Sequence, residues 1–152
     1  MKRFRFPLRP VAVLRAHHEM RAREAFGTSV HAYVRAEEEL ATTRARVAAL
    51  EAELFAGRRE RFSAADEAHA LAAYRRECDV EGGAERAMIA ARAAMEQRRI
   101  EFLEAHRRVE VVRRLEEKAR SAHRLANQKE EQAEFDDRAG RRFAVRQPLF
   151  SS

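Results

Sequence analysis

The feature that most constrains this chain is where proline is absent. Proline stands at 7, 10 and 148 and nowhere between Pro10 and Pro148. Proline removes an amide donor and clashes with the preceding turn, so a stretch this long without it can be helical nearly throughout. The residues that fill it are mostly Ala, Arg, Glu and Leu, which favour helix. Charged residues make up 37% of the chain and Trp is missing. The 45% hydrophobic share is carried largely by Ala, which buries little area. Large apolar side chains are too sparse for a thick core and suffice for a narrow seam.

Breaks in such a sequence are informative. Gly57 precedes Arg58-Arg59-Glu60-Arg61-Phe62, and Ser63 with Asp66 three residues on can cap a new helix. Gly82-Gly83 marks a second break or kink, and Gly140 loosens the end of the last helix. The expected layout is one helix over about 10–56, a bend with a short helix over about 57–83, a last helix over about 84–140, and a flexible tail over 141–152. Helices of that length cannot bury their apolar atoms alone, and the short link between them favours antiparallel pairing. The expected fold is all-α: a single domain formed by a long antiparallel two-helix coiled-coil hairpin with a short helix or kinked segment near the bend.

Periodicity points the same way. Phe26, Tyr33, Leu40, Val47 and Leu54 recur every seven residues, with mostly small residues three positions on. Met88, Met95, Phe102 and Val109 do the same in the second half, with Ala91, Ala105, Val112, Ala119, Ala126 and Ala133 as companions. A seven-residue repeat imposes a left-handed supercoil whose seam these residues fill. Beyond Val112 the companions are all Ala, so the terminal part of the seam is expected to be weakly held.

The formal charge is +6, from 31 basic and 25 acidic residues. The signs interleave along the whole chain, which suits solvated helix faces with i,i+4 pairs and not the one-signed stripe that a nucleic-acid backbone requires. A single cysteine, Cys78, allows no disulfide within the chain and fits a reducing compartment. The charged N-terminus is not followed by an apolar run, and no stretch approaches about 18 consecutive apolar residues, so a cytoplasmic location is expected.

No phosphate-binding GxxxxGK[ST] loop, GxSxG elbow, HExxH or CxxC is present. Histidines fall at 17, 18, 31, 69, 106 and 123, with no two at the i,i+4 spacing of a helical metal site. The parts of an enzyme are missing, and no cofactor or metal is expected. Three features exceed what a plain coiled coil needs. Phe4, Phe6 and Leu8 alternate with Arg3, Arg5 and Arg9 ahead of Val11, Leu14 and Arg15. Such apolar anchors with cationic neighbours suit docking in a groove of another protein, folding back on the hairpin end, or, for so short a segment less well, lying on an anionic membrane. The run from Lys129 to Arg138 crowds acids onto one helix, which a basic partner surface would relieve. Leu71, Tyr74 and Cys78 form a stripe near the bend that suits core packing or a binding face.

Two of these segments resemble the FliJ family of flagellar export proteins. Phe4-Arg5-Phe6-Pro7-Leu8-Arg9-Pro10-Val11-Ala12-Val13-Leu14-Arg15 is similar to the family's F-x-F-x-L-x-x-V-L-x-x-R start. Glu130-Glu131-Gln132-Ala133-Glu134-Phe135-Asp136-Asp137-Arg138-Ala139 is similar to its E-x-K/Q-x-x-D-E ending. Length and layout agree, while the middle carries no residue-level match beyond Tyr74. The resemblance implies a non-enzymatic central stalk of the type III export ATPase complex, linking a hexameric ATPase ring to a membrane-embedded export gate and assisting the recycling of export chaperones. On that basis Phe4, Phe6, Leu8, Val11, Leu14, Arg15, Glu130, Gln132 and Asp136 would face the ring, and Leu71, Tyr74 and Cys78 the gate. The protein would then lie at the inner face of the cell membrane, held there only through its partners. A stalk of a non-flagellar secretion system, or a generic helical scaffold or holdase, would share the layout.

Overall fold

A computed structural model describes residues 2–146. It contains two helices, α1 (Arg9–Arg59) and α2 (Ala64–Arg146), packed against each other as a helical hairpin, with no strand among the described residues. The chain divides into two compact units. One is His18–Ala105, and the other joins the residues up to His17 with those from His106 onward.

Within His18–Ala105, the covered positions of α1 alternate in steps of four and three: Ala22, Phe26, Ser29, Tyr33, Ala36, Leu40, Thr43, Val47, Leu50, Leu54 and Gly57 are all buried or half-buried. That alternation is the mark of a heptad seam. Opposite them on α2, Met88, Met95 and Phe102 are half-buried. The Phe26 and Phe102 rings stack with centroids 6.2 Å apart. Only Leu40, Leu54 and Thr43 in this unit have side chains that are essentially sealed from water. The Thr43 hydroxyl is satisfied by donating to the Glu39 carbonyl at 2.8 Å, so its burial leaves no polar group unpaired.

Phe62 shapes the turn. Its amide donates to the Gly57 carbonyl at 3.1 Å, and Arg61 between them has a φ of 63°. This is a Schellman termination with arginine in the left-handed position that glycine usually takes. The Phe62 ring lies over Gly57, where a Cβ would overlap it. Glycine is therefore required at 57 for close approach, while α1 itself runs on to Arg59. Ser63 then caps α2. Its hydroxyl oxygen accepts from the Asp66 amide at 3.2 Å, and the hydroxyl donates to the Asp66 carboxylate at 2.7 Å.

The expected second break is not there. α2 passes through Gly82-Gly83 without interruption, so the residues expected as a separate short helix over 57–83 divide between the end of α1, the turn and the start of α2. Neither glycine has a positive φ, and a Cβ at Gly82 would meet only Arg86 at ordinary contact distance. The pair costs about 2 kcal/mol against alanine. Breaking the helix there would sacrifice several backbone hydrogen bonds and take Glu81, Tyr74 and Glu67 out of line with Met88. Gly140 likewise does not end α2, which continues to Arg146. Of the expected tail, 141–146 is helical and 147–152 lies outside the described residues.

In the other unit Val112 is the best-buried residue, flanked by half-buried Val109 and Glu116. Ala119 is half-buried, whereas Ala126 and Ala133 are exposed. Every residue from Gln128 to Arg146 is exposed.

The turn predicts two opposite outcomes in chemical denaturation. Gly57→Ala should lose about 1–3 kcal/mol because the Phe62 ring must be displaced. Arg61→Gly should gain about 0.5–1 kcal/mol by relieving the left-handed residue.

Candidate partner-binding surfaces

The N-terminal segment lies along α2 in an antiparallel sense. Lys2 approaches Glu130 at 3.7 Å, and Arg9 approaches Glu116 at 3.5 Å. Between these pairs the Phe4 ring sits 5.4 Å from His123, with the Arg120 guanidinium 5.3 Å from its centroid. Phe4 and Phe6 are thus half-buried against α2, in a shallow groove that Glu116 and Arg120 also line. A cation over an aromatic face contributes about 0.5–1 kcal/mol at an exposed site, enough to orient the segment without making it immovable.

Leu8, Val11 and Leu14 are different. They are exposed, together with Val13 at 59%, a residue sequence reasoning passed over. Arg9, Pro10, Val13, Leu14 and His17 line an open, largely apolar concavity. Arg15 is half-buried, its guanidinium donating to the Arg108 carbonyl at 3.3 Å. Glu130 pairs with Lys2, whereas Gln132 donates to Asp136 at 3.0 Å along the same exposed face of α2. The structure therefore strings the N-terminal candidates along α2 from Arg108 to Glu130, leaves Leu8, Val11 and Leu14 exposed, and sets Gln132 and Asp136 on the bare end of α2.

Leu71, Tyr74 and Cys78 are half-buried in the other unit. Tyr74 falls on the seam, since Glu67, Tyr74, Glu81 and Met88 stand seven apart and all are partly covered. The seam of α2 here is strongly acidic, and α1 answers with arginine: Arg58 to Glu67 at 3.0 Å, Arg46 to Glu77 at 3.7 Å and Arg44 to Glu81 at 3.4 Å. Glu77 Oε1 has no hydrogen bond, so charge alone compensates its burial beside Arg46. Such pairs add little net stability but penalise a slipped register, which would leave a carboxylate covered and unpaired. Sequence reasoning missed these acids because the supposed break at Gly82-Gly83 ended the heptad count at Met88. The repeat itself was there to find them. The same holds for Glu116 and His123, which continue Val109 in steps of seven.

The Tyr74 phenol is held above its usual range, chiefly by its hydrogen bond to Cys78 and then by the negative charge of Cys78 and of Glu51. A raised folded-state value means that its contribution to stability is present below the ordinary phenol range and is lost as pH rises through the folded value. Ultraviolet titration should show Tyr74 ionising above pH 10 in the native chain. Cys78→Ala should bring that midpoint back down, and an unchanged midpoint would show the hydrogen bond to be immaterial.

Among the described residues no group of His, Cys, Asp or Glu could hold a metal ion, and no helix is long and apolar enough to cross a membrane. Compared with known families, the chain matches the one described as "Flagellar FliJ protein" over residues 4–148. No curated protein and no solved structure shows significant similarity to it.

Proposed function

Because the chain belongs to the FliJ family, we propose that it is the non-enzymatic central stalk of the flagellar type III export ATPase complex. Family membership makes it a flagellar export-related protein and a non-catalytic component of the export apparatus. The finer role is supported most by one observation: the N-terminal segment carries exposed apolar residues at Leu8, Val11 and Leu14 and is tied to α2 by ion pairs where the seam thins out.

On this proposal the hexameric ring receives a composite surface. Leu8, Val11 and Leu14 supply exposed apolar anchors, and Phe4 and Phe6 keep the N-terminal segment against α2 until the ring engages it. Arg15, Glu130, Gln132 and Asp136 supply polar contacts whose partners fix orientation more than affinity. The gate contact falls on Leu71, Tyr74 and Cys78, where Tyr74 shares its surface with the seam. Helices that pack through a register-locked seam can transmit a displacement, and the chain needs no reactive group of its own for that. Export-chaperone recycling would use the remaining exposed helix faces. Any attachment to the membrane would run through these partners.

The test is to mix the protein with the export ATPase of its own organism. Promotion of ring assembly and faster hydrolysis are expected, and an unaffected ATPase would rule the stalk role out. Removing the residues before Val11 should weaken ATPase binding while leaving the helical circular-dichroism signal nearly intact. Unchanged binding would mean that the N-terminal anchors are not part of the contact.

A further inference from the structure

α2 runs past the residues that the N-terminal segment touches. Lys2 reaches Glu130, and from Gln128 to Arg146 every residue is exposed. Helices in proteins draw most of their stability from packing an apolar face, and this stretch packs none against the described residues. It also presents Phe135 at 68% and Phe143 at 72% exposure, a large apolar area to leave uncovered.

Its charges are segregated along the axis. Glu130, Glu131, Glu134, Asp136 and Asp137 come first, and Arg138, Arg141, Arg142 and Arg146 follow. Glu131, Glu134, Arg138 and Arg141 are spaced by three and four, so they form one stripe on the flank of Phe135. Glu134 and Arg138 approach each other within the helix at only 4.0 Å, both more than 70% exposed. Glu131 and Arg141 have no ion-pair partner among the described residues. Two copies laid side by side in parallel would set like charges against each other. Laid antiparallel about a two-fold axis level with Asp136, each flank meets itself. Glu131 then faces Arg141 of the second copy, Glu134 faces its Arg138, and the two Phe135 rings lie on either side of the axis, offset by about 3 Å along the helices.

We propose that the exposed end of α2 pairs antiparallel with a second copy of this chain, through Phe135 and the charged stripe beside it. The pairing stands independently of the stalk role, because its readout is mass in solution with no ATPase present. Sedimentation of the full chain from sub-micromolar to near-millimolar concentration should show a reversible monomer–dimer equilibrium. Glu131→Arg with Glu134→Arg places arginine against arginine, and Arg138→Glu with Arg141→Glu places acid against acid. Each double variant should dimerise more weakly by about tenfold or more. Mixed together, the two variants restore opposite charge at every contact and should form a heterodimer of native strength. A native chain that stays monomeric throughout would overturn the proposal, as would charge variants that dimerise like the native chain or a mixture that does not recover.

Discussion

Everything in this fold depends on the four-three alternation of covered residues along α1. Two helices have only one face each to hide, so no second layer can compensate for a slipped or interrupted seam. The covered positions from Ala22 to Gly57 keep this step without a lapse, using residues as small as Gly57 and as large as Tyr33. Because the burial is shallow, specificity comes from pairs that tolerate one register. The arginines at 44, 46 and 58 opposite glutamates at 81, 77 and 67 are of that kind.

The same economy explains the turn. With so little core, the connection cannot be a loose loop without fraying the nearest seam residues. Gly57 yields its Cβ space to Phe62, Arg61 accepts a left-handed conformation, and Ser63 restarts the chain as α2. The strain at Arg61 is local and small compared with the seam that it allows to close.

Much of this is legible in the sequence. The absence of internal proline, the repeat through Phe26 and Leu54, and the Ser63–Asp66 cap are local signals, and the helices, the hairpin and the cap follow from them. The error at Gly82-Gly83 came from treating glycine as punctuation when its cost, spread over a helix of 83 residues, is modest. That error also hid the acidic half of the seam, since a repeat counted only over apolar residues stops at Met88. Among the ring candidates, the exposure of Leu8 and Leu14 could be expected from their polar surroundings. The contacts of Phe4 with Arg120 and His123 could not, because they join residues more than a hundred positions apart.

α2 is one continuous helix whose covered positions recur as far as Asn127 and end there. Amide hydrogen exchange along α2 tests this directly. Slow exchange through Gly82-Gly83, matching that of Tyr74 and Met88 on either side, followed by rapid exchange beyond Gln128 in the monomer, is the predicted profile. Fast exchange confined to the two glycines would contradict it, because the seam from Glu67 to Met88 could not then be held in a single register.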